Sequence, residues 1–281
     1  MGNFEFKHEN VYGEPFSKIE KKEIIKTTSN YRDRFKKNSI DYKSLFNNKS
    51  CLDAGCGYGR GSLFMLSNGA SFVELVDVSK KNIETSRDNL KKFNFSNFNC
   101  QNCSIESLPF ENETFDVVWS YGVIHHAANT DKCLKELTRV LKVGGILKLF
   151  IYGSGGIFWY SIKHLRKILK NIDTEYIIEF LNSMSISPVE ISNYIDNWKV
   201  HYLRKYTQKD IKLKLKDLGF ATNVKFFKYG MHYDHNHRKT TYKNDKFWMG
   251  DADLRFVIKK TKNKVSNNFK LSNKPEGSSY I

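Results

Sequence analysis

The chain has 281 residues, 40% of them hydrophobic and 14% aromatic, a composition typical of a globular protein and not of a disordered one. No apolar run approaches the ~20 residues that a membrane-spanning helix needs, and the first residues lack the apolar segment of a secretory signal, so we expect a cytoplasmic protein. The formal net charge of +16 suits an anionic partner, either a nucleic acid or a small acidic molecule, although lysines spread over surface helices would give the same excess.

The apolar pattern predicts helices at the amino end, followed by strands and helices in alternation. Residues 14–48 carry apolar side chains at helical spacing with lysines between them. Short apolar runs then predict five strands, at 50–54, 71–77, 98–103, 115–121 and 145–152. Helical patterns between the strands predict three helices, at 60–68, 79–93 and 131–142. Alternation of this kind is typical of a parallel sheet covered by helices.

The alternation stops after the fifth predicted strand, where residues 153–206 interrupt it. Their pattern predicts three helices, at 157–171, 173–184 and 188–198. A helix with an N-terminal capping pattern (207–218) follows, and two strands (222–229 and 254–260) close the fold. Because ligands of parallel sheets bind at the carboxyl ends of the strands, we expect the insertion to act as a lid.

A glycine-rich loop follows the first predicted strand and begins after Asp53. Its alternate positions are glycines: Gly55, Gly57, Gly59 and Gly61. Glycines let the backbone approach a ligand closely and adopt positive φ. The dinucleotide-binding fingerprint needs its third glycine where Arg60 stands, and the Gly-Lys-Ser/Thr ending of a phosphate loop is missing. The loop is therefore suited to a ligand other than a dinucleotide, and a tight turn without a ligand is the alternative.

Asp77 ends the second predicted strand, 18 residues after Gly59. A carboxylate at this strand end can accept hydrogen bonds from both hydroxyls of a ribose. The alternative is an acid that interacts with the dipole of the following helix, for which Ser79 is the predicted N-cap. With the glycine loop beside it, we interpret Asp77 as a ribose-binding residue.

Cysteines give no sign of a metal site. The chain has five of them, an odd number scattered through predicted core elements, which indicates reduced thiols rather than disulfides. Cys100 and Cys103 have the spacing of half a zinc site, but no second pair accompanies them. We therefore predict no metal.

With these motifs in this order, residues 50–152 resemble the class I S-adenosylmethionine-dependent methyltransferases. CLDAGCGYGRG is similar to their first motif, and LVDVS is similar to their acidic second-strand motif. SIESLPFENETFDVVWSYGVIHH resembles their third and fourth strand region, and LKELTRVLKVGGILKLFIY resembles the helix, double-glycine turn and fifth strand that follow. The resemblance implies S-adenosylmethionine as the cofactor and methyl transfer to an oxygen, nitrogen or sulfur atom.

The resemblance also implies roles for individual residues. The glycine loop would face the methionine part of the cofactor, Asp53 would lie near its ammonium group, and Asp77 would hold the ribose. The residue after Asp77 would pack on the adenine, and the last two residues of the fourth strand would line the methyl-donor side. Relatives often carry an acid where Ser104 stands, so we expect its hydroxyl or backbone to bind the adenine amino group instead. The predicted cofactor-binding residues are Asp53, Gly55, Cys56, Gly57, Asp77, Val78, Ser104, Ile105, Ser120 and Tyr121.

Pattern and resemblance together predict an α/β fold. It consists of a Rossmann-like sheet of seven mostly parallel strands with helices on both faces, N-terminal helices, and a helical lid inserted after the fifth strand. The predicted parts are an N-terminal helical cap (1–48), an S-adenosylmethionine-binding core (49–152), the helical lid insertion (153–206), a C-terminal part of the core (207–260) and a tail expected to be disordered (261–281).

Histidines and aromatic residues are the candidates for the acceptor side. His125 and His126 follow the fourth strand, and a histidine can remove the proton that an oxygen or ammonium acceptor must lose. The alternative is that the pair only shapes the loop. Residues 231–238 contain three histidines, which we interpret as substrate contacts because their spacing fixes no fourth metal ligand. The candidate substrate-binding residues are Tyr12, Tyr31, Trp159, Tyr160, His232 and Tyr233.

We therefore expect a methyltransferase acting on a small metabolite, an anionic one included, because a helical insertion makes an enclosed pocket. An RNA methyltransferase, with transfer RNA among its substrates, is the first alternative, since the charge and the basic, aromatic insertion suit RNA. A catalytically silent module that binds the cofactor is the second. The sequence leaves the oligomeric state open.

Overall fold

The computed structural model describes residues 13–227, 247–248, 250–251 and 253–263. Its first elements are three helices, α1 (Glu14–Ser17), α2 (Lys21–Lys37) and α3 (Tyr42–Phe46). In α2, Ile24, Tyr31 and Phe35 are buried at helical spacing, which confirms the predicted amphipathic pattern. These helices cover one face of the central sheet.

The central sheet has six strands in the described part of the chain. They are β1 (Ser50–Ala54), β2 (Phe72–Asp77), β3 (Phe98–Asn102), β4 (Phe115–Tyr121), β5 (Leu141–Tyr152) and β6 (Asp253–Lys259). Their order across the sheet is β3-β2-β1-β4-β5-β6. Strands β1 to β5 are parallel and β6 is antiparallel to β5. The order reverses between β1 and β4, and the ligand crevice of open α/β sheets lies at such a switch point.

Helices connect the parallel strands, as predicted. They are α4 (Arg60–Leu66), α5 (Lys80–Lys92) and α6 (Thr130–Val140). Ser79 caps α5, since its Oγ accepts the backbone N–H of Asn82 at 3.0 Å. One apolar core lies between the sheet and α6, and a second lies between the sheet and the helices of the opposite face. No helix in the described ranges is both long and apolar enough to span a membrane.

The insertion after β5 consists of the three predicted helices, α7 (Gly156–Ile168), α8 (Thr174–Ser183) and α9 (Pro188–Trp198). They share an apolar core of their own, which includes Trp159, Ile177 and Ile195 and joins the end of β5 at Phe150 and Tyr152. Side-chain capping accounts for the start of α9, where Ser187 and Glu190 form a capping box. The insertion is thus built onto the carboxyl end of β5.

The prediction of seven strands is wrong for the described part of the chain. Helix α10 (Gln208–Asp217) begins at the predicted cap, but the strand expected at 222–229 is not formed over 222–227. This segment touches β6 only at isolated bridges, Phe220 with Lys260 and Phe226 with Phe256. Six residues separate the first members of these pairs and four separate the second, so two extra residues bulge out and break the ladder.

Candidate functional site

The glycine loop joins β1 to α4 at the switch point of the sheet. Gly55 has a φ of +83°, and a Cβ there would lie 2.5 Å from the side chain of Val123. Position 55 therefore requires glycine for its conformation and for its lack of a side chain. Gly59 has a φ of +86° and is the N-cap residue of α4. The sequence predicted this loop correctly because its residues are consecutive.

Asp77 holds the loop against the start of α5. Its Oδ2 accepts the backbone N–H of Gly57 at 2.9 Å, and its Oδ1 accepts the backbone N–H of Ser79 at 2.9 Å and the side-chain amide of Asn82 at 3.2 Å. The carboxylate is 7% exposed and lines the cavity described below. Asp77 thus lies at the start of the following helix, as in the alternative interpretation of the sequence, and its bond to Gly57 is a structural role that the sequence did not predict.

Asp53 lies at the end of β1 beneath the loop, with 2% of its surface exposed. Ser62 Oγ donates a hydrogen bond of 2.6 Å to its Oδ2. Burial raises the pKa of the carboxyl to about 6, against the hydrogen bonds from Ser62 and the charge of Arg60, which lower it. A Cβ on Gly61 would lie 2.8 Å from the same Oδ2, so the helix can approach the carboxylate only with glycine there. The site thus contains a buried carboxyl group that a cation would stabilise in its charged form.

An open cavity of about 970 Å³ covers the loop and both carboxylates. Five aromatic residues line it, together with the polar groups: Phe16, Tyr31, Tyr58, Trp119 and Tyr121. A cavity with two acids on one side and aromatic rings around it suits a ligand that is partly charged and partly planar.

Nine of the ten predicted cofactor-binding residues line this cavity: Asp53, Gly55, Cys56, Gly57, Asp77, Val78, Ser104, Ile105 and Tyr121. Ser120 does not line it; its side chain is fully buried, since successive side chains of β4 point to opposite faces of the sheet. Glu106 lies beside Ser104 on the wall and accepts the backbone N–H of Asn129 at 2.8 Å.

Of the predicted substrate-binding residues, Tyr31 lines the cavity. Trp159 is buried in the core of the insertion, with its ring 4.9 Å from that of Tyr152. Tyr160 is 63% exposed and stacks near His164 on the outside of α7. The remaining predictions lie outside the described residues: Tyr12, His232, Tyr233 and the histidine cluster at 231–238. Within the described ranges no three side chains of His, Cys, Asp or Glu come together as a metal site would require.

The two predicted catalytic histidines occupy different environments. His125 is fully buried against Tyr152, with ring centres 4.0 Å apart, and burial lowers its pKa well below the ordinary value. His126 lines the cavity. Its Nδ1 lies 2.8 Å from the carbonyl oxygen of Tyr202 and therefore carries a proton, while its Nε2 lies 3.1 Å from Asp196 Oδ1. His126 thus connects the cavity wall to the insertion.

Several wall residues escaped prediction, although two of them left a signal in the sequence. Arg60 directly follows Gly59 of the loop. Trp119 precedes Tyr121 by two residues, so the rings of Trp119 and Tyr121 point to the same face of β4. The indole Nε1 of Trp119 and Oδ1 of Asn82 are buried without a hydrogen-bond partner among the described residues. These atoms lie at the cavity, where a bound ligand could satisfy them.

Comparison with known proteins identifies the ligand that this site fits. A sequence profile described as a methyltransferase domain matches residues 52–149. Sarcosine/dimethylglycine N-methyltransferase of Aphanothece halophytica is 36% identical over 95 residues, 34% of each chain. An uncharacterised protein of Methanocaldococcus jannaschii is 30% identical over 195 residues, which are 69% of this chain and 70% of that protein. The chain belongs to the class I S-adenosylmethionine-dependent methyltransferases.

A solved methyltransferase of the same fold contains the demethylated cofactor. It is the 1,6-didemethyltoxoflavin-N1-methyltransferase of Burkholderia thailandensis, with bound 1,6-didemethyltoxoflavin and S-adenosylhomocysteine. The TM-score is 0.50 at 14% identity, covering 85% of each chain. The matched segment of our methyltransferase spans about a third of the length of the curated relatives that it matches over the core. The family and its cofactor, S-adenosylmethionine, are therefore established, while the acceptor is not named by these likenesses.

The residues of this methyltransferase fit that cofactor. S-adenosylmethionine combines an ammonium and a carboxylate, a ribose with two hydroxyls, and an adenine. The cavity offers two buried carboxylates at strand ends, Asp53 and Asp77, and the apolar side chains of Val78 and Ile105 on the same wall. The unpartnered Trp119 Nε1 adds a donor beside Asp53. Carboxylates would repel phosphate groups. These side chains therefore suit a nucleoside that carries an ammonium group better than a nucleotide with several phosphates.

Proposed function

We propose that this methyltransferase transfers the methyl group of S-adenosylmethionine to an oxygen, nitrogen or sulfur atom of a small metabolite. The observation that carries the proposal is the aromatic-walled cavity that contains the glycine loop, Asp53 and Asp77 together. A concave site walled by aromatic side chains suits a small acceptor. The names of the relatives agree with this, since one acts on sarcosine and dimethylglycine and another binds a didemethyltoxoflavin.

The protein's part in the reaction is binding and alignment. When bound, S-adenosylmethionine supplies a methyl group on a sulfonium, which is displaced in line by the acceptor atom. Asp77 would accept hydrogen bonds from the ribose, and Asp53 would face the ammonium group. Tyr121 at the end of β4 would line the side on which the acceptor enters. In a displacement of this kind, holding the two reactants in line supplies much of the rate enhancement.

For an acceptor that must lose a proton, we propose His126 as the group that takes it. His126 lies on the cavity wall, whereas His125 is enclosed behind it. The Tyr202 carbonyl holds a proton on Nδ1, so the proton of the acceptor would be taken by Nε2, which must first move away from Asp196 Oδ1. Asp196, 3.1 Å from Nε2, would stabilise the imidazolium that forms. His125 would support the ring of His126, with ring centres 4.1 Å apart.

Replacement of Asp77 tests the cofactor site. We expect Asp77→Ala to weaken the binding of S-adenosylhomocysteine by about 1–3 kcal/mol, because hydrogen bonds from the ribose to a charged acceptor are lost. Asp77→Asn should recover part of the loss, since an amide oxygen can still accept the N–H of Gly57. Calorimetry measures both affinities. An affinity equal to that of the wild type in Asp77→Ala would remove this residue from the site.

The acceptor is identified by labelling. The protein is incubated with S-adenosylmethionine carrying a labelled methyl group and with a metabolite extract, and the labelled product is analysed by mass spectrometry. We expect one small labelled product, formed equally well after nuclease treatment of the extract. Absence of any labelled product while the cofactor binds would favour a module that binds without catalysis.

An RNA acceptor is the second candidate, favoured by the net charge of +16. Binding of RNA through phosphates weakens steeply with added salt, whereas binding of a small acceptor in an enclosed cavity does not. Titration with bulk transfer RNA at low and high salt distinguishes the two. Labelled RNA in place of a labelled metabolite would make this candidate the correct one.

A further inference from the structure

Cationic side chains surround Tyr121, the last residue of β4 and part of the cavity wall. The guanidinium of Arg60 lies 5.8 Å from the centre of the Tyr121 ring, Lys148 Nζ lies 5.2 Å from it, and the guanidinium of Arg255 lies 5.8 Å from it. Arg34 Nη1 donates a hydrogen bond of 3.0 Å to the Tyr121 hydroxyl. Four cations thus converge on one ring at the site.

The register of the sheet brings these charges together. Tyr121 is paired with Phe150, which is paired with Arg255 on β6. Two residues back along the strands, Trp119 is paired with Lys148, whose side chain therefore lies on the same face. Arg34 reaches the same ring from α2, and Arg60 does so from the first residue of α4. Four elements that are distant in sequence therefore contribute to one positively charged wall.

Two of the cations have no acidic partner among the described residues. Arg60 lies over the rings of Tyr31, at 4.7 Å, and of Tyr58, at 5.6 Å, and hydrogen-bonds to Tyr31. The charge of Asp53 acts on Arg60, but the two side chains form no ion pair within 4.0 Å. Lys148 is 1% exposed, and its Nζ has a single long hydrogen bond of 3.4 Å, to the Leu149 carbonyl. Arg60 is half-buried and lines the cavity, whereas Lys148 lies behind the wall, so an anion in the cavity would meet the guanidinium of Arg60.

Lys148 and Arg60 differ in their electrostatic state. Burial lowers its pKa well below the ordinary value, and the charges of Arg255 and Arg34 lower it further. Arg60 cannot lose its charge in this way, because a guanidinium stays protonated at any physiological pH. The Arg60 fork is therefore the group on the wall that an anion would engage.

We propose that the methyl acceptor carries a carboxylate or phosphate group, which binds against Arg60 and the Tyr121 hydroxyl in the field of the cations behind them. The proposal rests on the methyltransferase function proposed above and names its substrate class as an organic acid. The rings of Tyr31 and Trp119 on the same wall favour a planar body for that acid. The methionine part of the cofactor also carries a carboxylate, so the experiment must separate the two sources of the same chemistry.

The test uses benzoate and phenyl phosphate as anionic probes and benzamide as a neutral probe of the same shape. Each is titrated by calorimetry into the full chain, with and without saturating S-adenosylhomocysteine. We expect at least one anion to bind at least tenfold more tightly than benzamide. Arg60→Gln should abolish this preference and change the affinity for S-adenosylhomocysteine less than twofold. Tyr121→Phe, which keeps the ring, should reduce the preference without affecting the fold. Lys163→Gln, which removes an exposed charge on α7, is the matched control and should change neither affinity.

Two results would overturn the proposal. The first is that neither anion is preferred to benzamide, with no binding of any probe included. The second is that Arg60→Gln weakens S-adenosylhomocysteine binding tenfold while the preference for anions persists, since the guanidinium would then serve the cofactor's carboxylate. If S-adenosylhomocysteine fails to bind the wild type, the proposed function is wrong, and the titrations without it still decide whether the wall selects an anion.

Discussion

The carboxyl group of Asp53 lies at the bottom of the cavity, where one hydroxyl group, that of Ser62, donates to it. Its pKa is raised to about 6 by burial, whereas an aspartate in an unfolded chain has a pKa of ~3.9. Between about pH 4 and about pH 6 the folded protein holds a proton that the unfolded chain has released. The contribution of Asp53 to the free energy of unfolding therefore decreases as the pH rises through this window.

Asp53→Asn should separate stability from ligand binding. We expect the variant without ligand to be more stable than the wild type by about 1–3 kcal/mol near neutral pH, because it removes the buried charge. S-adenosylhomocysteine binding should weaken at least tenfold, since the ammonium loses its counter-charge. Urea denaturation and calorimetry measure the two effects. Asp88→Asn, on the exposed side of α5, is the control. A variant less stable than the wild type would contradict the argument from burial.

His126→Gln tests the proposed proton acceptor. With the acceptor identified by labelling, we expect kcat to fall about 10²–10⁴-fold if an oxygen or ammonium is methylated. The affinity for S-adenosylhomocysteine should not change. His164→Gln, an exposed histidine on α7, provides the comparison. A wild-type rate in His126→Gln would show that the two histidines only maintain the conformation of the loop.

At the scale of residues, the sequence predicted the residues that lie close together along the chain. It did not predict the groups that the sheet brings together from distant segments. The part of the cavity wall that contains the glycine loop is built from consecutive positions and from a strand end, so motif spacing located Asp53 and Asp77 on it. The cationic wall combines Arg34, Lys148 and Arg255, whose proximity depends on strand order and register. Ser120 was expected on the wall from its place beside Tyr121, and the alternation along a strand turned it to the other face.

At the scale of elements, the insertion is held together by a buried arginine. Arg166 of α7 is 1% exposed, and its guanidinium donates to the carbonyls of Asn197, at 3.0 Å, and Val200, at 2.6 Å. These carbonyls belong to the end of α9, where backbone acceptors lack partners within the helix. One side chain therefore satisfies the end of another helix from across the insertion.

Arg166→Met should loosen the insertion locally. The loss of two charge-assisted hydrogen bonds to buried carbonyls should lower the free energy of unfolding by about 2–4 kcal/mol. Hydrogen exchange should increase in α7 and α9 and remain slow in β1 and β4. The neighbouring exposed Lys167, changed to Met, provides the control. Equal exchange in the two variants would show that packing alone holds the helices.

The elements were predicted best where turns bound them on both sides. Strands β1 and β4 have their predicted limits, and the other parallel strands differ at one end. The strand predicted at 222–229 does not form over 222–227, although Phe226 and Phe227 are residue types that favour strands. Its register against β6 changes by two residues between the two bridges. The residue types of a segment indicate a preference for strand conformation. Whether its hydrogen bonds to a neighbouring strand are continuous depends on the register between the two, which the composition does not determine.

At the scale of the whole molecule, binding of the cofactor should stabilise the fold. A ligand that binds only the folded state at about 100 times its Kd contributes ~2.7 kcal/mol. For a chain of this size we expect S-adenosylhomocysteine at that concentration to raise the Tm by roughly 5–10 °C. Differential scanning fluorimetry measures the shift, with adenosine triphosphate at the same concentration as the control. Equal shifts for the two compounds would indicate a general nucleotide site instead of a site for this cofactor.

The link between His126 and Asp196 has a consequence for how such enzymes diversify. Asp196 belongs to α9 and also accepts a hydrogen bond from Tyr152 at the end of β5, so the insertion supplies a carboxylate directly behind a residue of the cavity wall. A chimera that exchanged residues 153–206 for those of another methyltransferase would import new acceptor contacts and remove this acid. We expect such grafts to function only when the incoming segment supplies a carboxylate at the same place. A graft of the insertion would therefore also change the surroundings of His126.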